Sequence, residues 1–451
     1  MIILAAAITL AVLGTVSHTA NHDAQFDAGA PVVGAANTPT TGSAPAQRRH
    51  TRPPLTLAGR RPAVTEAEVR LQRALTKNLR AAGPDSGALV YDLDTRSELF
   101  GWHPAVRRPP ASVEKLWTTA ALISRLGPDT RVHTSVLGTG FMRAGVWHGN
   151  LYLRGGGDPT FGDQAFNQYW NHGNGPSPNQ LASQLMARGI HRVTGRVYAD
   201  ESLFDRRRGG LMTGFGADVP DFGGQLSALT YDHGTTLKHY SPATFAAREL
   251  ALTMRGAHIA VQASTHAAKA PAGARILAVV SSPPLSVMLR LMDVPSDDLF
   301  AELFTKQLGV LFGAGGTIPD GARVISQTIG ADYGLYPRIL DGSGLSRGDR
   351  SSPLDIVELL REAWGRHAGR ELAASLPTVG REGTVLGIGV KTPASGNCVA
   401  KTGTLDNVTN LAGYCRGRDH HTLAFAILVD GPFNGAADVL ESRMIGAIAG
   451  Y

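Results

Sequence analysis

The chain has 451 residues, a formal net charge of +6 at pH 7 and 43% hydrophobic residues. This length allows two to four domains, and the apolar content is enough for a buried core. About half of the net charge falls within residues 1–61, so the remaining chain is nearly balanced. A nucleic-acid-binding protein needs a concentrated basic face with a binding motif, and the sequence has neither, so we exclude nucleic acid as a partner.

Residues 2–16 are almost wholly apolar. This segment is too short for a membrane span and is typical of the apolar core of a signal peptide. We predict that residues 1–17 are a signal peptide, with an uncleaved N-terminal membrane anchor as the alternative. Either interpretation predicts an extracytoplasmic protein that is secreted, periplasmic or held in the cell envelope. Residues 18–65 are rich in Ala, Thr, Pro and Gly, which predicts a disordered linker.

The next segment predicts the opening of an α/β module. Apolar spacing over residues 65–82 favours a helix, and residues 88–94 and 98–100 favour two strands joined by a short turn. Two prolines then stop any regular element, and a helical pattern follows. This pattern ends at Gly127, because glycine followed by proline usually terminates a helix.

Ser112 stands at the start of this helical pattern, and Lys115 follows three residues later on the same face. A serine hydroxyl is a poor nucleophile until a neighbouring base takes its proton, and a desolvated lysine can be that base. Ser112 is therefore a candidate nucleophile and Lys115 its candidate base. The alternative is an ordinary amphipathic helix with a surface lysine.

From residue 128 to about residue 284, short β-like runs alternate with Gly- and Pro-rich loops. We predict that residues 138–282 form a smaller β-rich domain, inserted into a catalytic domain made of residues 66–137 and 283–451. Residues 155–160 resemble a phosphate-binding loop only superficially, because they lack its lysine and its residue order. We interpret them as structural.

Helical patterns resume after residue 284, and the later part of the catalytic domain alternates helices with strands. Ser296, Asp297 and Asp298 form the break between two helices. The remaining predicted elements are a helix at 353–363, antiparallel strands at 399–404, 411–415 and 422–429, and a closing helix at 437–449.

A second candidate constellation, Lys401-Thr402-Gly403-Thr404, lies on a predicted strand. Glycine on an edge strand lets a bound backbone approach closely, and the neighbouring lysine and threonine can hold a carboxylate. A backbone N–H there can face the N–H of the serine nucleophile and form an oxyanion hole, which is often the largest catalytic contribution. Residues 391–393 read Lys-Thr-Pro, but proline removes both the donor and the close approach.

A third constellation, S-x-N in a helical region, has two literal matches, at residues 177–179 and 395–397. We reject the first because it lies in the predicted inserted domain. We reject the second because it lies on the strand that supplies Lys401 and so cannot also line the opposite wall of the cleft. The turn from Ser296 to Asp298 has the expected setting, but its third residue is aspartate.

The order S-x-x-K, S-x-N-like turn and K-T-G resembles the penicillin-binding proteins and serine β-lactamases. Further stretches resemble the low-molecular-mass class C penicillin-binding proteins, the penicillin-binding protein 4 type of D-alanyl-D-alanine carboxypeptidases and endopeptidases. These stretches are 153–160, 199–202, 227–230, 281–286, 341–347, 401–405 and 411–414. The resemblance covers roughly residues 66–451. It implies an α/β (α+β) fold with an antiparallel sheet, helices packed on it, a helical subdomain and an inserted β-rich domain.

The resemblance also implies a serine-type D-Ala-D-Ala carboxypeptidase that acts on peptidoglycan stem peptides and is acylated by β-lactams. It assigns the attack to Ser112, the proton acceptance to Lys115, and a proton relay to Ser296 beside Lys401. The N–H groups of Ser112 and Thr404 would form the oxyanion hole. The substrate carboxylate would bind Thr402 and Thr404, next to Gly403. It implies no cofactor, and we find no metal-binding motif among the scattered histidines.

The sequence departs from the family at two places. Asp298 stands where the family has asparagine, and an ionised carboxylate can only accept a hydrogen bond. Asp298 either pairs with a lysine, which would keep that lysine protonated, or reduces activity in another way. A third domain that the family usually carries between residues 230 and 241 is missing.

Cys398 and Cys415 flank a predicted hairpin centred near residues 406–407. They form a disulfide if their side chains share a face of the hairpin, and two buried thiols are the alternative.

Three functions remain open at this point. The first is the peptidase, whose carboxypeptidase and endopeptidase activities use the same residues. The second is a weakened or inactive penicillin- or peptidoglycan-binding protein, in which Asp298 has ended turnover. The third is a β-lactamase or esterase built on the same residues.

Overall fold

A computed structural model describes residues 65–218, 222–431 and 437–451 of the chain. The predicted signal peptide or anchor and the linker up to residue 64 lie outside these ranges. Among the helices within them, none has the length and apolarity needed to cross a membrane.

The first sheet is antiparallel, with the strand order β2-β1-β10-β9-β8. Its strands are β1 (Ser86–Asp92), β2 (Ser97–Trp102), β8 (Cys398–Leu405), β9 (Val408–Arg416) and β10 (Thr422–Asp430). β9 and β10 are buried along most of their length. Both faces of this sheet are therefore covered, while β8 stays at an edge.

Alternating side chains of β10 divide the core above and below the sheet. Phe425 and Ile427 pack with α1 (Glu66–Ala82) and α11 (Ala437–Ala449) on one face. Ala424 and Leu428 belong to the larger core on the other face. That core is covered by α2 (Lys115–Leu126), α6 (Leu285–Asp293), α7 (Asp298–Phe312), α8 (Ile318–Tyr333), α9 (Pro353–Trp364) and α10 (His367–Ser375).

The second sheet is mixed, with the strand order β6-β5-β4-β3-β7. Its strands are β3 (His133–Arg143), β4 (Val146–Arg154), β5 (Arg192–Asp200), β6 (Ala260–Ala267) and β7 (Arg275–Ser281). β4, β5 and β6 run parallel, so each connection between them is long and contains helices. These helices are α3 (Gln164–Trp170), α4 (Pro178–Ala187) and α5 (Pro242–Gly256).

The second sheet has its own apolar core, in which Trp147, Leu151 and Leu185 pack against Leu250 of α5. The predicted fold class, α/β with an antiparallel sheet, helices and a second β-rich part, is confirmed. The predicted boundaries of the inserted domain stay a prediction. The first strand of the second sheet begins at His133, before the predicted boundary at residue 138.

Candidate active site

Ser112 lies in a single 3-10 turn, Ala111–Glu114, that immediately precedes α2. The expected helix therefore begins at Lys115, and the serine sits on a tighter turn in front of it. Ala111 has φ of +48°, a backbone conformation that costs a non-glycine residue free energy. Surrounding contacts must hold this turn in place.

Asn410 of β9 supplies such contacts. Its side-chain amide donates hydrogen bonds to the carbonyl oxygens of Pro109 and Pro110, at 2.9 and 2.8 Å. Its carbonyl oxygen accepts a bond from the Val429 N–H at 2.9 Å. Sequence analysis missed this residue. The available signal was a lone amide in an otherwise apolar strand, since a buried polar side chain usually has a specific partner.

Lys115 is fully buried, and its ammonium group contacts three oxygen atoms. The Nζ atom lies 3.0 Å from Ser112 Oγ, 2.5 Å from Asp298 Oδ1 and 2.8 Å from the Ser343 carbonyl oxygen. An ammonium group has three donors, so these contacts satisfy all of them. The predicted neighbours Ser112 and Lys115 are therefore within hydrogen-bond distance of one another.

Asp298 begins α7 and forms an ion pair with Lys115. Burial raises the pKa of Asp298, while the lysine opposes that change. Of the two alternatives drawn from the sequence, the structure has the one in which the aspartate pairs with the nucleophile's lysine.

Ser343 lies in the loop 341–347, for which sequence analysis proposed no role. Glu302 of α7 accepts hydrogen bonds from the Gly342 and Ser343 N–H groups at 3.0 and 2.8 Å. Gly344 has φ of +86°, and a Cβ atom there would lie 1.9 Å from the Ala111 carbonyl oxygen. The loop therefore packs directly on the serine turn and directs a carbonyl oxygen at Lys115.

Lys401 is also fully buried, on β8. Its Nζ atom lies 2.7 Å from Ser296 Oγ and 3.1 Å from the Thr402 carbonyl oxygen. Burial and the nearby charge of Lys115 lower the pKa of Lys401 to about 7, against the opposing effect of Asp293 and Asp298. This amine therefore changes its charge near neutral pH.

Gly403 fixes the approach of β8 to the serine turn. A Cβ atom at this position would lie 2.5 Å from the Pro110 carbonyl oxygen and 3.0 Å from the Val113 nitrogen. Because both are backbone atoms, any side chain would force the strand and the turn apart. The close approach of β8 to the serine turn therefore requires glycine at position 403.

The predicted residues line one cleft of about 280 Å³. Its lining comprises Ser112, Ser296, Asp298, Thr402 and Thr404 from the predicted set, together with Thr384, Ile388, Thr409 and Glu441. The two lysines lie beneath it, each bonded to one of its serines. Thr402 Oγ1 donates to Thr384 Oγ1 at 2.7 Å, which adds a hydroxyl that sequence analysis did not name.

Cys398 and Cys415 are directly opposite each other on β8 and β9 and are joined by a disulfide. Neither cysteine lines the cleft. In residues 65–218, 222–431 and 437–451, no group of three or more His, Cys, Asp or Glu side chains is arranged to hold a metal ion.

Comparison with known proteins places this site in a family. The profile of the D-Ala-D-Ala carboxypeptidase 3 (S13) family matches residues 68–239 and 215–448. Carboxypeptidase DacB of Mycolicibacterium smegmatis is 31% identical over 383 residues, which are 79% of this chain and 80% of that protein. The D-alanyl-D-alanine carboxypeptidase of Actinomadura sp. is 27% identical, over 88% of each chain.

Among solved structures, penicillin-binding protein 4 of Haemophilus influenzae superposes with a TM-score of 0.71 at 19% identity. The superposition covers 84% of this chain and 99% of that one, which establishes a common fold. Since the family profile spans nearly all of the residues described here, the chain belongs to the D-Ala-D-Ala carboxypeptidase 3 (S13) family of peptidases.

Proposed function

We propose that this D-Ala-D-Ala carboxypeptidase cleaves peptidoglycan stem peptides through an acyl-enzyme formed on Ser112. The observation that supports this proposal is the convergence of two serine–lysine pairs on one cleft. Lys115 Nζ lies 3.0 Å from Ser112 Oγ, and Lys401 Nζ lies 2.7 Å from Ser296 Oγ. A hydroxyl within hydrogen-bond reach of a buried amine is the arrangement that serine activation needs.

In this mechanism the Ser112 oxygen attacks the carbonyl carbon of the terminal peptide bond, and Lys115 accepts the hydroxyl proton. The negative charge that develops on the carbonyl oxygen is stabilised by the N–H groups of Ser112 and Thr404. The peptide C–N bond then breaks, and Ser296, next to Lys401, delivers a proton to the departing D-alanine nitrogen. Water then attacks the ester on Ser112 and releases the shortened peptide. The same two N–H groups stabilise the oxyanion that forms in this second step.

The substrate's terminal carboxylate would bind at the Thr402 and Thr404 hydroxyls, close to Lys401. Thr384 extends this hydroxyl row, because it already accepts a hydrogen bond from Thr402. The same residues serve a carboxypeptidase and an endopeptidase, so the proposal covers both activities. A β-lactam would acylate Ser112 by the same attack and remain bound if water cannot reach the ester.

A second candidate function is a peptidoglycan- or penicillin-binding protein with little turnover. The specific observation in its favour is the 2.5 Å contact between Lys115 and Asp298. This ion pair opposes the transfer of the serine proton to Lys115 that the mechanism needs, because the amine is already engaged with a carboxylate. The aspartate also lacks the amide donor that the family's asparagine offers to a substrate carbonyl.

Intact mass after incubation with penicillin G tests the proposal. The wild-type protein should gain the mass of one penicillin, and Ser112→Ala should gain none. A wild type that forms no adduct, or a Ser112→Ala variant that still forms one, would contradict it. Release of D-alanine from a pentapeptide then separates the peptidase from the binding protein, and rapid β-lactam hydrolysis would identify a β-lactamase instead.

We also propose that the protein acts outside the cytoplasm, because peptidoglycan is found there. A signal peptide at residues 1–17 would release the protein, and an uncleaved anchor there would hold it at the membrane; these residues lie outside the described ones. Fractionation of cells that express the full chain, compared with a chain lacking residues 1–17, would test both points. Protein found in the cytoplasm in both cases would contradict them.

A further inference from the structure

We propose that His233, in the loop before α5, is a positioning residue of the peptidase. Its ring holds Asp297, and through Asp297 it fixes the turn that presents Ser296 and Asp298 to the cleft. No sequence motif of the family pointed to this histidine. The inference rests on the proposed function, because its main test is acylation at Ser112.

The contact between the two residues is short and largely shielded from water. His233 Nε2 lies 2.6 Å from Asp297 Oδ2, and the two side chains are 20% and 17% exposed. The imidazole ring also stacks on Phe300 of α7, with the ring centroids 6.0 Å apart and the planes inclined by 29°. Phe300 is itself buried, so the histidine is held on a rigid surface.

Asp297 connects this contact to the helix that begins beside the cleft. Its Oδ1 atom accepts a hydrogen bond from the Phe300 N–H at 2.9 Å and thereby caps α7. Its Oδ2 atom is the one that meets His233. One oxygen of the carboxylate therefore caps the start of α7, and the other contacts His233 in the loop before α5.

The turn that Asp297 controls needs this support. Ser296 has φ of +65°, a left-handed conformation that is unfavourable for serine and persists only when its surroundings impose it. The Asp297 N–H donates to the Met292 carbonyl oxygen at 2.7 Å, which closes the turn from the preceding helix. Loss of the histidine would leave the Asp297 side chain free to rotate and the strained serine less constrained.

The loop that bears His233 is held in place by its own backbone and side-chain contacts. His233 has φ of +59°, and the preceding Asp232 has φ of +46°. Asp232 N–H donates to the Phe161 carbonyl oxygen at 3.2 Å, and its side chain accepts from the Asp163 N–H at 2.7 Å. Gly224 packs so closely that a Cβ atom there would lie 1.8 Å from the His233 carbonyl oxygen.

The charges around the pair favour a protonated ring. Burial alone would lower the pKa of His233, but the Asp297 carboxylate and a hydrogen bond to the Gly223 backbone outweigh it, so the pKa is raised. The charge of Asp297 in turn raises the pKa of its neighbour Asp298. The two buried lysines, Lys115 and Lys401, lower the pKa of Asp298. A cationic His233 therefore also offsets a carboxylate that would otherwise repel Asp298.

The sign of the pH dependence follows. The ion pair is complete below the raised pKa of His233 and is lost as pH rises through it, because the ring then becomes neutral. The advantage of wild type over a variant without the cation must therefore be greatest at low pH and shrink at high pH. Taking the ratio of the two rates removes the titrations that are the same in both proteins, so the remaining pH dependence is the one that depends on His233.

The experiment measures the rate of Ser112 acylation by a labelled penicillin from pH 5 to 9 in the full chain. His233→Gln should acylate about 10-fold to 100-fold more slowly at the acidic end, the scale of a misplaced catalytic group. The deficit should narrow as pH rises. Asp297→Asn should show a similar deficit, and the double variant should be no slower than the worse single variant, because both changes remove one interaction. His233→Lys, which keeps a cation, should recover part of the rate.

His421→Gln is the matched control. His421 Nδ1 lies 2.8 Å from Asp92 Oδ2, an equivalent pair that does not line the cleft. This variant should acylate at the wild-type rate throughout. Equal rates for wild type and His233→Gln at every pH, or a deficit that is independent of pH and shared by the His421 control, would overturn the inference and leave the proposed function intact.

A second measurement does not depend on catalysis. Proton NMR titration of the histidine ring signals, with His233 assigned by its loss in His233→Gln, should give a pKa above the ordinary value of about 6.5. Asp297→Asn should bring it down. If the wild type formed no penicillin adduct, the proposed function would fail. The NMR titration would still test whether His233 and Asp297 are in contact. A His233 pKa that Asp297→Asn does not change would overturn it.

Discussion

The two ends of the cleft contain the same pair of groups, a serine hydroxyl and a buried lysine, in different surroundings. Lys115 has a carboxylate, a carbonyl oxygen and Ser112 as partners. Lys401 has Ser296 and a carbonyl oxygen, and within the described part of the chain no carboxylate forms an ion pair with it. The two lysines are equally buried, so the contrast between them lies in their direct partners.

This difference assigns separate tasks to the two ends. Lys401, whose pKa is lowered to about 7, can change its charge under physiological conditions and so can assist proton delivery. Lys115 lies beside the nucleophile but is paired with Asp298. Asp298 therefore forms its direct ion pair at the nucleophile's end of the cleft, and its charge also raises the pKa of Lys401 at the other end.

The largest expected effect comes from removing the amine beside the nucleophile. Lys115→Met should lower the acylation rate by about 10²–10⁴-fold, the usual contribution of a general base. Stopped-flow measurement with a chromogenic penicillin would show it. Lys306→Met is the control, because Lys306 is equally buried and paired with Asp205 at 2.6 Å but lies outside the cleft. An equal loss in both variants would mean that the effect is a general consequence of an unpaired buried charge.

Gly403→Ala should separate the two ends physically. The new methyl group would meet the Pro110 carbonyl oxygen, so β8 and the serine turn must move apart. Acylation should fall about 100-fold, since a displacement of about 1 Å is enough for such a loss. Gly256→Ala, where a methyl group meets open space, should have the wild-type rate. Normal acylation of Gly403→Ala would show that the contact does not set the geometry.

Asp298→Asn should make the two ends more alike. Removing the carboxylate frees Lys115 from its ion pair and restores an amide donor, so acylation should rise by about 10-fold, equivalent to about 1.4 kcal/mol. The adjacent Asp297→Asn should change the rate in the opposite direction, because Asp297 supports the turn and does not contact Lys115. Rapid wild-type acylation that Asp298→Asn does not improve would show that the aspartate is no obstacle.

The smallest effect concerns the pH dependence of substrate binding at the Lys401 end. Lys401 is cationic below a pH of about 7 and neutral above it. KM for a D-Ala-D-Ala peptide should therefore rise about fivefold above that pH, the scale of an ion pair of about 1 kcal/mol. Because Asp293 raises the pKa of Lys401, Asp293→Asn should move the midpoint to lower pH. A KM that stays constant from pH 6 to 9 would contradict this assignment.

Elements with strong local signals were predictable from the amino-acid sequence. The hairpin predicted near residues 406–407 lies between β8 and β9, because its two strands are apolar and its turn residues are polar. The helices at the two ends of the described chain were predicted from apolar spacing. Short motifs predicted the candidate residues Ser112, Lys115, Ser296 and Lys401. The spacing within such a motif reflects local backbone geometry, so it can be recognised in the linear sequence.

The contacts between distant groups became known from the three-dimensional fold. Asn410 holds the backbone before Ser112, a carbonyl of residue 343 meets Lys115, and His233 reaches Asp297 from the loop before α5. The sequence left open whether Asp298 pairs with one lysine, with the other or with neither. These contacts join residues far apart in the chain, and their energies depend on burial and distance. Neither quantity is encoded in the local pattern that a single sequence offers.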